Sequence, residues 1–379
     1  MKQWDAIIIG GGIIGLSLAR ELNKRGLRVL VVDKKESGRE ASWAAGGMLA
    51  DFPLEMPAAL RDLARASAQM YPEFVRELED ESRLKIDLRD QGTLLFAKAE
   101  ANLPEPHLTV RDLTKLEPNL STSLLAPSRN PTWQGVVLRE RSVDPRHLTA
   151  AAIGAAKHRG IDFSSGDQVL EVEVAGGRVN GVRTNKTRFG ADIVVNCAGA
   201  WAGQIGVREH DVVKPGSTRL PTRPVKGQML CVAMPQREMV RHVIRTPDVY
   251  LIPRSDGRML IGATQEEAGF DKQTVPETIQ KLHQAAIETA REVANARILE
   301  AWAGLRPGTP DALPILGPTE LPSYFVATGH FRDGILLAPV TAKVMGQVIA
   351  GENTQVDVAA FSAARFQSGS SPDRDSSRR

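Results

Sequence analysis

The sequence predicts an α/β and α+β fold that opens with a Rossmann-like βαβ unit. Three observations predict it. Ala6–Ile9 is a short apolar run with β-branched residues, as in a buried parallel strand. Ile14, Leu18 and Leu22 then recur at four-residue spacing up to Gly26, which reads as a helix with a glycine stop. A second apolar run, Val29–Val32, ends at Asp33.

The later elements follow from the same rules. A long helix is predicted over Pro57–Glu81, with an interruption at Pro72. Residues 83–145 read as mixed, with short strands among many prolines. An Ala-rich helix is predicted from Pro145 to Arg159, stopped by Gly160. Strands are predicted at Gln168–Val174, Val179–Thr184 and Ile193–Val195, and several more between Lys226 and Ala263. Pro276–Arg297 reads as an amphipathic helix with proline in its first turn. Tyr324–Ala327 reads as a last buried strand and Gly334–Ile349 as a last helix. The tail 367–379 has five serines, alternating charge and no apolar residues, and reads as disordered.

Composition narrows the function classes. At 379 residues the chain is long enough for two or three domains. With 42% hydrophobic and 25% charged residues, its body is an ordinary globular one. The net charge, 48 − 45 = +3, is too small to point to nucleic acid or a membrane surface. Two cysteines, Cys197 and Cys231, make neither a disulfide framework nor a cysteine metal site. The apolar run Ala6–Ala19 is broken by four glycines and follows Asp5, so neither a leader nor a transmembrane segment is expected. A cytoplasmic protein is the expectation.

The sharpest motif is Gly10-Gly-Gly12-Ile13-Ile14-Gly15, between a strand and a helix, with Asp33 following Gly15 by 18 positions. This is the setting a dinucleotide fingerprint requires. Gly10 permits the tight turn, Gly12 lets a diphosphate reach backbone N–H groups, and Gly15 lets the helix lie close to the strand. The helix N-terminus favours the diphosphate charge, and Asp33 can accept from a ribose. The plain alternative is a tight turn that binds nothing. The fingerprint occurs once; the stretch Cys197-Ala-Gly199-Ala-Trp201 follows a strand but has the wrong glycine spacing. A single N-terminal fingerprint points to FAD as the sole nucleotide.

Four more stretches carry chemistry. Arg39–Met48 holds Ala41, Ser42, Gly46, Gly47 and Met48, either a flexible surface loop or a wall of backbone N–H groups near a diphosphate. Tyr250-Leu-Ile-Pro-Arg254, Trp302–Asp311 and Gly329–Ile335 complete the pattern. Arg306 and Arg332 are either surface ion-pair members or planar forks for a substrate carboxylate. Tyr250 is either a half-buried strand residue or a pocket wall. His330 reads as structural, or as facing a flavin through its backbone, not as a base. The other histidines have no metal-ligand spacing, and no GxSxG elbow or Walker loop is present.

Together the stretches GGGIIG, REASWAAGGML, PVKGQML, YLIPRSDGRMLIGAT, WAGLRPGTPDALPILG and ATGHFRDGILLAP resemble the glycine oxidase branch of the D-amino acid oxidase superfamily. The resemblance implies a Rossmann-like FAD-binding domain and a substrate domain built on a large mixed β-sheet. It implies a discontinuous FAD-binding domain over 1–85, 145–205 and 300–366, capped by 86–144 and 206–299. By motif, Arg306 and Arg332 would bind an amino-acid carboxylate and Tyr250 would line the pocket. Gly10, Gly12, Ile13, Ile14, Gly15, Asp33, Lys34, Ala41, Ser42, Gly46, Gly47, Met48, Val169 and Gly199 would surround the FAD. His330, Phe331, Arg332, Asp333, Gly334, Ile335 and Leu336 would wrap its isoalloxazine end. Gln265 stands where the branch has a methionine, at a position expected near the substrate. Neither cysteine lies in a flavin-attachment motif, so noncovalent FAD is expected.

The implied reaction is oxidation of glycine, sarcosine or a small D-amino acid. Hydride passes from Cα to flavin N5 without a side-chain base, O2 is the final acceptor, and hydrogen peroxide forms. The resemblance also implies a homo-oligomer and a link to thiamine biosynthesis. Two other readings stand beside it: a dehydrogenase of the same fold with a different electron acceptor, and a nonenzymatic flavin-binding protein.

Overall fold

A run with no polar side chain between Ala6 and Ile9 needs cover on both faces. The structure, a computed structural model, describes residues 3–52, 54, 56–126, 132–209, 212–213 and 220–366. In it, strand Gln3–Ile9 lies inside a ten-stranded sheet, parallel to Val29–Asp33 on one side and to Arg188–Asn196 on the other. Asp162–Ser165 extends the sheet past Val29–Asp33, and Tyr324–Thr328 runs parallel to the end of Arg188–Asn196. These five parallel strands are the Rossmann-like core. The first half of Arg188–Asn196 pairs antiparallel with Arg178–Thr184, which leads on to Val169–Ala175 and Gly206–Glu209.

Helices Ile13–Lys24, Arg61–Ser82, Pro145–His158 and Gly334–Ala350 pack against one another. Together with Ala6, Ile8, Val29 and Val31 of the strands they bury one continuous apolar core. Burial of such surface, at roughly 25 cal/mol per Å², is the main force holding them there.

A second, seven-stranded sheet runs in the order Arg297–Gly308, Arg223–Ala233, Arg258–Gly262, Tyr250–Pro253, Val243–Arg245, Thr93–Lys98, Trp133–Leu138. It is mixed: Val243–Arg245 and Thr93–Lys98 are parallel, and the other pairs are antiparallel. Helix Pro276–Thr289 covers it through Leu282 and Ala286. A small sheet of Met48–Leu49, Arg141–Val143 and Leu88–Arg89 holds the small-residue loop in place. Near the expected domain boundaries, Gly206–Glu209 belongs to the first sheet, and the whole of Arg297–Gly308 belongs to the second.

Two expectations need correction. The long helix runs Arg61–Ser82, entered through a 3₁₀ turn at Ala58–Leu60, and Pro72 does not interrupt it. Tyr71, Phe74, Val75 and Leu78 around that proline are buried in the helical core, so packing outweighs the missing backbone bond. The helix predicted over Pro276–Arg297 ends at Thr289 and gives way to a 3₁₀ turn at Arg291–Asn295. The Thr289 carbonyl is taken by the Ser121 N–H at 2.9 Å, and the Val293 N–H bonds Ala290 instead. Arg297 opens a strand. The tail 367–379 lies outside the described residues.

Helix Gly334–Ala350 is apolar almost throughout and buried along its length. Two side chains of Arg61–Ser82 fix its start: the Tyr71 hydroxyl donates to the Ile335 carbonyl, and Ser67 donates to Leu336 at 2.6 Å. Tyr71 is fully buried, so its partner has no water to turn to. Tyr71→Phe is expected to destabilise the protein by about 1–3 kcal/mol, read as a lower thermal midpoint. An unchanged midpoint would show that this bond does not anchor the helix.

Candidate active site

One cavity of about 710 Å³ runs between the two sheets. Its first part is built by the βαβ unit. Gly10 has φ +105°, and a Cβ there would lie 2.5 Å from the Cys197 carbonyl oxygen. Only glycine fits both the turn and that approach. A Cβ on Gly15 would overlap the Gly10 carbonyl, so the helix lies directly on the turn. The Asp33 carboxylate accepts from the Gly11 N–H at 2.7 Å and from the Lys35 N–H at 2.9 Å. Ser42 Oγ accepts from the Ile13 N–H at 2.9 Å, which leaves its hydroxyl proton to donate.

The second part lies where Arg306, Tyr250 and the start of the last helix meet. Arg306, on strand Arg297–Gly308, donates through Nη1 to the carbonyls of Thr264 at 3.0 Å and Lys226 at 3.3 Å. Its guanidinium occupies the space a side chain on Gly227 would need. Tyr250 is half-buried, with its hydroxyl 3.8 Å from the Met229 sulfur. Arg332 lines the same cavity but is exposed.

The structure brings most of the predicted residues to this one wall. Gly10, Gly12, Ile13, Ile14, Asp33, Lys34, Ala41, Ser42, Gly46, Gly47, Met48, Val169 and Gly199 line it. So do Tyr250, Arg306 and His330 through Ile335. Gly15 and Leu336 stand behind it, Gly15 under the turn and Leu336 inside the last helix. Gln265 does not reach it. The Thr264 carbonyl beside it is drawn to Arg306, while the Gln265 side chain is exposed and outside the cavity lining.

Residues 5–348 match the DAO family, described as FAD dependent oxidoreductase. The chain belongs to this family. It is similar to glycine oxidase from Pseudomonas aeruginosa, 32% identical over 94% of this chain and 98% of that protein. It is as similar to hydrogen cyanide synthase subunit HcnC from the same organism, 33% identical over 97% of each. Among solved structures, glycine oxidase from Geobacillus kaustophilus superposes with a TM-score of 0.86 at 28% identity, over 96% of this chain and 99% of that one.

The residues of this oxidoreductase fit an FAD. Helix Ile13–Lys24 turns its N-terminus to the cavity; its N-cap Gly12 has no side chain to cap it, and Ser42, which takes the Ile13 N–H, keeps a proton to donate, which suits a diphosphate. The last helix also begins at the cavity wall, at Asp333 and Gly334, and its dipole suits an electron-rich ring. Lys34 lies 3.1 Å from the Trp201 ring centroid, and burial pulls its ammonium down to about 8. Both cysteines are free and buried, with burial pushing their thiols up, Cys231 to about 11. Thiols held protonated are poor nucleophiles, in keeping with noncovalent FAD.

The remaining ionisable groups divide clearly. His330 is buried with Nε2 3.1 Å from the Thr341 hydroxyl, and burial pulls it down to about 3, so it is neutral at any working pH. Burial raises the Tyr250 hydroxyl, while Arg306 and Arg332 pull it back; it stays protonated and able to donate. Sequence reading missed Gly227, Met229 and Arg245 as wall residues. Gly227 and Met229 were within reach of it, since alternate positions of one strand share a face.

Asp333 starts the last helix without its side chain capping it, and burial pushes its carboxyl up to about 6 against the pull of Arg332 and Arg245. The folded protein therefore holds this proton more tightly than the unfolded chain, whose value is near 3.8. Its contribution to stability is full below about pH 4 and is lost as the pH rises through about 6. Asp333→Asn is expected to remove that loss, so that parent and variant thermal midpoints diverge between pH 4 and 6. A constant difference across that window would refute the assignment.

Proposed function

We propose that this oxidoreductase oxidises glycine, sarcosine or a small D-amino acid to the oxo acid, with release of ammonia or an amine and formation of hydrogen peroxide. Arg306 carries the reading. Its guanidinium is held by two backbone carbonyls, with no carboxylate partner among the described residues, in a cavity wall that also holds Tyr250. Such a preorganised fork suits a substrate carboxylate. The similarity to glycine oxidases supports the amino-acid class.

Gly10–Ile14, Asp33 and Ser42 would hold the diphosphate and ribose of FAD, and Gly46–Met48 with His330–Ile335 its ring system. When bound, FAD supplies a two-electron acceptor for the Cα–H of the substrate. Arg306 binds the carboxylate and so fixes the carbon beside it. Tyr250 adds a donor from its protonated hydroxyl, and Arg332 a second positive charge from the exposed side. Neutral His330, tied to Thr341, is not a base for the Cα proton. Catalysis rests on positioning. Loss of hydride from the neutral amine leaves an iminium ion, and water converts it to the oxo acid and ammonium. O2 takes up the two electrons with two protons.

The similarity to a hydrogen cyanide synthase subunit favours a second reading, in which the chain serves in a larger assembly and its electrons go to another acceptor. Anaerobic mixing of the yellow holoprotein with glycine, sarcosine, D-alanine and D-proline separates the two. Bleaching that air reverses with formation of peroxide supports the oxidase; bleaching that air leaves in place supports the second reading. No bleaching with any of the four would sink both.

Arg306→Ala is expected to raise KM by about 30-fold or more, the loss of roughly 2 kcal/mol from one charge-assisted pair. An unchanged KM would remove Arg306 from the carboxylate site.

A further inference from the structure

The segment Ala44–Gly47 lines the cavity, and three of its carbonyls are held by donors elsewhere in the fold. Ala44 O accepts from Trp302 Nε1 at 3.0 Å, and Gly47 O from the Val143 N–H at 2.8 Å. Gly46 O accepts from Arg254 Nη2 at 2.6 Å. Arg254 directly follows the strand Tyr250–Pro253 of the second sheet, and its side chain is 0% exposed. Its charge is balanced at a distance: Nε lies 3.9 Å from Asp144 Oδ2, an oxygen that Arg258 Nη2 bonds at 3.0 Å. Nε and Nη1 of Arg254 have no hydrogen-bond partner among the described residues.

A buried guanidinium with two unused donors costs stability. Among the described residues the Gly46 carbonyl is the one hydrogen-bond partner of its side chain, and that bond has a directional consequence. In a trans peptide the carbonyl oxygen and the following N–H point to opposite sides. Drawing the Gly46 carbonyl to Arg254 therefore turns the Gly47 N–H the other way. Gly47 has φ +79°, and a side chain there would overlap the Val143 carbonyl and Pro145. Its N–H makes no hydrogen bond among the described residues, although its own carbonyl is paired.

We propose that Arg254 is a positioning residue for the flavin: by holding the Gly46 carbonyl it aims the Gly47 N–H at the ring system of bound FAD. This rests on the proposed placement of the ring between Gly46–Met48 and Arg306. A fixed N–H donor at the ring stabilises added electron density and so raises the flavin's midpoint potential. Arg254 touches neither flavin nor substrate; it acts through one peptide plane.

The test compares holoproteins of the parent, Arg254→Met, Arg254→Lys and Arg306→Ala by visible flavin spectrum, midpoint potential and FAD dissociation constant. Arg254→Met is expected to shift the spectrum, lower the potential and weaken FAD about tenfold, as for one lost hydrogen bond. Arg254→Lys, which keeps a donor, is expected to restore part of each change. An Arg254→Met protein that is less heat-stable but has the parent's spectrum and potential would overturn the proposal and leave Arg254 a structural residue. Should Arg254→Met not fold, Arg254→Lys decides: a potential and spectrum identical to the parent's overturn the proposal, and a partial shift in the same direction supports it. A flavin spectrum that answers to Arg306→Ala but not to Arg254→Met refutes the role of Arg254 alone. One that answers to neither refutes the placement of the ring as well.

Discussion

Two helices begin on the same cavity wall, and the rest of the site is arranged around that fact. Ile13–Lys24 starts on the glycine turn after the first strand, and Gly334–Ala350 starts after the last. Each leaves its first N–H groups short of carbonyl partners, so the wall between them favours negative charge. Parallel strands make this convergence possible, because every strand–helix crossover leaves its turn at the same edge of the sheet. Arg306 and Arg332 add positive charge from the second sheet and from the last turn. A cavity of this polarity suits a diphosphate and an electron-rich ring and, on the proposed function, a substrate carboxylate in one continuous space.

Much of the nucleotide part was legible in the sequence because its signals are local. A β-branched run, a glycine turn, a four-residue period and an acid at the end of the next run all lie within about thirty residues. The placements of Gly10, Gly12, Ile13, Ile14 and Asp33 on the cavity follow from that unit. What the sequence did not show depends on distant partners. The helix from Pro276 carries apolar spacing past Thr289, yet Ser121, far away in the chain, takes the carbonyl that would continue it. Pro72 passes through a helix because buried neighbours on both sides hold it there.

Gln265 shows the same limit inside the site. Motif position put it near the substrate, but the Thr264 carbonyl turns to Arg306 and the next side chain is left in solvent. Arg254 is the converse case. It directly follows the strand Tyr250–Pro253, with nothing local to mark it. Only the assembled fold brings it to the Gly46 carbonyl, more than two hundred residues earlier in the chain. Side chains that act on the site through backbone carbonyls leave no periodicity to read.

The central claim is that Arg306 holds a carboxylate beside the flavin. Titrating the oxidised holoprotein with acetate, which has a carboxylate but no amine to oxidise, tests it most directly. A saturable change in the visible flavin spectrum of the parent is expected, with affinity weakened by about 30-fold in Arg306→Ala. Equal affinity in the two proteins, both still yellow, would contradict it.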